Sequence, residues 1–112
     1  MSTDRDDRYI PVVRFSNWIR AGVEVYLDRQ RGRSNDALLW GRVERSVENY
    51  LNELYRSGAL QGVKPESAYF VSVGQAKTMT TQDVQEGRLI VEMDLAMLKP
   101  AEFQVLRLVQ EQ

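Results

Sequence analysis

Between Asn35 and Gly62 the apolar residues Leu39, Val43, Val47, Tyr50, Leu51 and Leu54 recur every three or four positions, the spacing of one face of an α-helix. Arg42, Glu44, Arg45, Glu48, Glu53 and Arg56 fall mostly off that face. Asn35 or Asp36 stands where a side chain caps the free N–H groups of a helix beginning near Ala37. Gly58 stands where a left-handed residue closes one. The stretch predicts an amphipathic helix over 37–57.

Upstream, Val12, Phe15, Ile19, Val23, Tyr26 and Leu27 form a second stripe, and Pro11 suits the first turn of a helix over 11–29. Gly22 is either a point of close backbone approach or a tolerated weakness of roughly 1 kcal/mol against alanine. Trp18, off the stripe, marks a second packing surface or caps the core at its rim. The polar start at 1–8 reads as an unstructured stump or linker, with the domain proper at 9–112. The link between the helices is short, which makes them antiparallel neighbours. It brings Arg29, Arg31 and Arg33 together, as a basic patch facing an acidic partner or as a solvated loop.

After Gly62 the period changes. Tyr69 to Val73 is β-branched and aromatic, a strand signal. Thr80 or Thr81 followed by Gln82 to Glu86 reads as a capped helical turn closed by Gly87. In 88–97, Leu89, Val91, Met93, Leu95 and Met97 alternate with Glu92 and Asp94 on the opposite face. A last strand over 103–109 is apolar on both faces, with Phe103 and Val105 on one and Leu106 and Leu108 on the other. Such a strand is buried twice or is covered by another chain. The fold class is therefore α+β: two antiparallel helices on one face of a small mixed sheet of about three strands. Tyr50, Leu51 and Leu54 are expected against Leu89, Val91 and Met93.

Composition then removes whole classes of function. The chain has 112 residues, one domain by size, with no cysteine and no histidine. That excludes thiolate chemistry, zinc–thiolate sites and the usual general base at neutral pH. Fifteen basic residues against sixteen acidic ones leave no polycationic footprint for nucleic acid or a membrane surface. No apolar run approaches the roughly 20 residues of a membrane span. Glu44 and Glu48 lie at helical spacing but are flanked by arginines, an exposed ion-pair face rather than an acid–base pair. Phosphate loops, nucleophile elbows and metal-ligand clusters are absent. The expectation is a protein that is not an enzyme and takes no cofactor or metal.

The wording of several stretches carries more than their periodicity. NDALLWGRVERSVENYL with GALQG at Gly58 to Gly62, PESAYFV from Pro65, TMTTQDVQEGRLIVE from Thr78, KPAEF from Lys99 and RYIPVVR from Arg8 together resemble the C-terminal domain of the phage tail sheath family. That family forms the contractile sleeve of myophage tails and phage-like injection machines. Ser72-Val73-Gly74-Gln75 departs from the charged residues the family often carries there.

The resemblance implies a domain on the inner face of a sheath, next to the tail tube. Terminal arms of neighbouring subunits would add strands to its sheet and keep the lattice linked during contraction. On that basis the partners are other sheath subunits in a helical homo-oligomer and the tail tube protein, with no nucleic acid and no membrane. The protein would be cytoplasmic in the producing cell and part of a virion tail or phage-like particle after assembly. Phe103, Val105, Leu106 and Leu108 are the candidate inter-subunit strand, and Arg29, Arg31 and Arg33 the candidate basic patch. Sheath subunits are much longer chains, so the alternatives are an excised sheath domain or a stand-alone tail or baseplate adaptor derived from it.

Overall fold

The computed structural model describes the backbone of residues 4–112 and the side chains of residues 12–112. Helix α1 spans Asp4–Arg29 and α2 Ala37–Arg56. A single turn of 3-10 helix, Pro65–Ser67, leads into strand β1, Tyr69–Ser72. Short helix α3, Thr81–Gln85, precedes β2, Arg88–Leu95, and β3, Gln104–Glu111.

Helix α2 forms where its stripe predicts. Asp36 is the cap, its carboxylate accepting from the Leu39 N–H at 3.0 Å. Asn35 does something else: it accepts from the Trp40 indole at 2.8 Å and donates to the Arg88 carbonyl at 3.0 Å. It thereby ties the start of α2 to the start of β2. Gly58 follows the helix at φ +90°, the left-handed conformation that costs glycine nothing. The buried ridge is Leu39, Val43, Val47 and Leu51, strictly four apart. Tyr50 and Leu54 lie off that line and are only half-buried, so of the three residues expected at the core centre Leu51 alone is there.

Helix α1 begins at Asp4 rather than Pro11. The expectation of an unstructured start falls partly on residues 1–3, which lie outside the described residues. The backbone of residues 4–8 is part of the helix. Ile19, Val23 and Leu27 form its buried ridge. Gly22 makes room for a side chain, since a Cβ there would meet the Tyr50 hydroxyl at 3.1 Å. Trp18 is exposed and stacks on Phe15 with ring centroids 6.0 Å apart, with Tyr50 at 6.4 Å. It is a rim residue. Trp18 and Gly22 thus meet Tyr50, while Tyr26 shares a small cleft with Ser46. The two helices run antiparallel.

The sheet is ordered β1-β2-β3 and is antiparallel throughout, not mixed. The eight-residue link at 96–103 is too short for the crossover a parallel pair needs. β2 stops at Leu95 because the Ala96 carbonyl turns to accept from Gln61 at 2.8 Å. Leu89, Val91, Met93 and Leu95 face the helices and are completely buried, with α2 over β1 and α1 over β3. On the opposite face the segment 74–87 covers Ile90. Thr78 donates to the Ile90 carbonyl at 2.7 Å, and a reciprocal capping box of Thr80 and Asp83 starts α3.

Candidate functional site: the open edge of the sheet

β2 uses only one side of β3. In an antiparallel ladder, alternate residues turn both N–H and C=O away from the partner strand. On β3 these are Val105, Arg107, Val109 and Glu111, because side chains from α1 and the turn after it reach two of their carbonyls from the far side. Arg20 of α1 donates to the Arg107 carbonyl at 3.1 Å. Arg31, two residues beyond α1, donates to the Glu111 carbonyl at 2.9 Å. The carbonyls of Val105 and Val109, and the N–H groups of all four residues, have no hydrogen-bond partner among the described residues. A groove of about 330 Å³ runs between α1 and this edge, with Val25, Glu24 and Asp28 on the helix side and Val109 on the strand side.

The far end of β3 is fastened to α1. Gln110 is buried and donates to the Leu27 carbonyl at 2.6 Å, and Gln112 donates to the Gln30 carbonyl at 2.8 Å. These side chains add a second donor to carbonyls at the helix end that already accept from the Gln30 and Arg33 N–H groups of the following turn.

The candidate strand residues divide. Leu106 and Leu108 point toward the helices and are buried in their own core. Val105 is exposed on the opposite face, and Phe103 lies just before the strand. β3 pairs with β2 of the same chain along all eight residues, so the part of it left unpaired is its outer edge. The candidate basic patch divides too. Arg31 is spent on Glu111, on Gln110 and on Asp28 at 3.1 Å, whereas Arg29 and Arg33 are exposed and form no ion pair among the described residues. Arg20 was not singled out by its sequence context. Its signal was spacing: it lies eleven residues before Arg31, about three helical turns.

The sheet face opposite the helices carries a cross-strand row of Phe70, Asp94 and Val105. Phe70 and Val105 are each 59% exposed and Val109 56%. Partial burial, then the nearby Glu92 charge, pushes the Asp94 carboxyl above its ordinary pKa. Glu92 itself pairs with Arg107 at 3.2 Å. At the other edge Glu44 approaches the Val73 N–H at 3.4 Å and Lys77 at 3.6 Å. Partial burial and then Glu44 raise the pKa of Glu48, with Lys77 opposing. The Glu44–Glu48 pair is thus answered by a lysine from the 74–87 segment rather than by its flanking arginines. Among the described residues, no three acidic side chains gather where they could hold a metal, and no helix is long and apolar enough to cross a membrane.

Comparison with known proteins agrees with this architecture. The chain is similar to one in the anti-feeding prophage baseplate at 37% identity and a TM-score of 0.77, over 92% of this chain and 29% of that one. It is similar to one in the PVC sheath complex of an extracellular contractile injection system, in its contracted state, at 35% identity and a TM-score of 0.76. That match spans 91% of this chain and 29% of the other. The chain therefore covers less than a third of the length of the structures it matches. No curated protein matches it. The model of the phage tail sheath C-terminal domain matches residues 2–111, and the chain belongs to that family.

Proposed function

We propose that this domain is a structural unit of a contractile injection system: the inner, lattice-forming part of a sheath, lying against the tail tube and joined to neighbouring subunits by strand addition. The observation that carries the reading is the outer edge of β3, eight residues long and unpaired except at two carbonyls. An edge of that length offers a neighbour's extended segment a ladder of main-chain hydrogen bonds. Those bonds hold without demanding a particular side-chain geometry, which suits subunits that move as rigid bodies while staying linked. Membership of the sheath family and the likeness to a contracted sheath complex support the same reading. No catalytic role is proposed.

A second reading, an adaptor module at the baseplate, draws support from the likeness to a baseplate chain. Electron microscopy of assemblies formed with a tube protein separates them: extended helical arrays for a sheath domain, a single closed ring for an adaptor.

The test of strand addition is Val109→Pro. The Val109 N–H points away from β2, so proline removes no bond of the internal ladder but blocks pairing from outside. The wild-type chain should self-associate with rising concentration in light scattering, and Val109→Pro should stay monomeric with an unchanged melting temperature. A wild-type chain that is monomeric at every concentration defeats strand addition between copies of this domain. Association that survives Val109→Pro points instead to exchange of β3 itself, each copy's strand taking the other's place beside β2.

A further inference from the structure

The free edge of β3 is not wholly free, and the two groups that touch it are the same. Arg20 and Arg31 each reach round from the helix side and donate to a backbone carbonyl, of Arg107 and of Glu111. An incoming strand needs those carbonyls, because each outward residue of an edge offers its N–H and its C=O as a pair. With both occupied, a newcomer can use the outward N–H groups but only the carbonyls of Val105 and Val109. We infer that Arg20 and Arg31 guard the edge: they occupy two of its acceptors in the lone chain and must let go before a neighbour's strand can pair. The inference rests on strand addition at this edge.

Geometry makes the pair specific. The two carbonyls are four strand residues apart, about 13 Å. The two arginines are eleven residues apart, nine of them to the end of α1, about 14 Å of helix, and two in the turn after it, a span close enough for long side chains to absorb the difference. The guards also have somewhere to go. Glu24 lies one turn after Arg20 on α1, within side-chain reach, and Arg31 already holds Asp28 through its Nε at 3.1 Å. Release therefore trades a carbonyl for a carboxylate rather than for an unpaired charge. Arginine suits the task because its several N–H donors and long stem hold an edge without supplying the alternating backbone groups that would extend it.

The test is self-association of the full chain by sedimentation velocity, comparing wild type with Arg20→Met/Arg31→Met, each with and without Val109→Pro. Methionine keeps the apolar stem and removes the donors. The double variant should associate at least tenfold more tightly, and Val109→Pro should abolish association in both backgrounds. If the double variant associates no more tightly while Val109→Pro still dissociates both, the guard is overturned and strand addition stands. If Val109→Pro changes neither, or neither background associates, both ideas fall. Should the double variant not fold, the wild type alone decides by NMR. The Nε–H signals of Arg20 and Arg31 should shift when the chain assembles. Signals that keep their lone-chain positions in the assembled state overturn the guard.

Discussion

The sheet has two edges, and they are finished differently. The β1 edge is four residues long, and at its end Glu44 from α2 reaches the Val73 N–H. The β3 edge is twice as long and carries exposed Val105 and Val109, with only two of its carbonyls occupied. A short edge met by a charged side chain is the usual protection against unwanted pairing. A long edge held only by arginines at its carbonyls keeps its N–H groups available. The difference teaches that the two edges are unequal in length and in how side chains meet them: a carboxylate takes an N–H at the end of one, and arginines take carbonyls along the other.

The comparison breaks first if the β3 half is not part of the core. Leu51 on the β1 side and Leu108 on β3 are both buried, at 0% and 4% exposure. Each change to alanine should cost about 3 kcal/mol through the lost contacts and the cavity left behind. Chemical denaturation measures both. A loss under about 0.5 kcal/mol at Leu108, a tenth to a quarter of what a buried leucine normally costs, would mean β3 is not held in its own sheet. Gln110→Ala is a finer probe of how β3 is fastened. It removes the 2.6 Å bond to the Leu27 carbonyl, which keeps its bond from the Gln30 N–H, and should cost about 1 kcal/mol, with hydrogen exchange rising at the end of α1. Exchange confined to β3 would show that the contact does not hold the helix.

The smallest effect expected is on pH dependence. The Thr80 backbone N–H, then Arg88 and the Thr80 hydroxyl, hold the Asp83 carboxyl down at about 2 from its ordinary 3.8. A depressed acid contributes stability that is complete above 3.8 and lost as pH falls toward 2. Asp94 has the opposite sign. Its pKa is raised by partial burial, so its contribution is present below 3.8 and lost as pH climbs through its folded value. Thermal melts across the acid range should therefore lose part of their acid limb in Asp83→Asn. Asp94→Asn should instead gain a little stability at neutral pH. Identical curves for the two variants would show that neither carboxyl is perturbed as its surroundings imply.

Local signals are legible in the sequence because local physics decides them. The α2 ridge, the Gly58 stop, the capped turn at Thr80 and the alternation of β2 each depend on neighbours within a few residues. The family, too, was legible, because its wording recurs in order along most of the chain. What escaped depends on partners far apart in sequence. Asn35 and Asp36 are equally good caps on paper, and only the position of Arg88, 53 residues on, decides which one is free to cap. The two apolar faces of β3 do not say which of them its own core takes. The fold buries one of them beneath α1 and leaves Val105 and Val109 on the other. Nothing in the sequence around Arg20 sets it apart; its role comes from β3 lying beside it.

The fastening of β3 at Gln110, Gln112 and Arg31 has a mechanical consequence. Ladder hydrogen bonds lie across the strands, so a pull along β3 loads them all at once. A pull outward at its C-terminal end would instead open them one after another, starting at the pairing of Glu111 with Arg88. The fastening sits at that end, where peeling would begin. Single-molecule stretching along the strand and across it should show a higher rupture force along it. Removing Gln110 should lower only the force measured across the strand. If a neighbour is linked through this edge as proposed, it can drag on the domain along the strand without unzipping it.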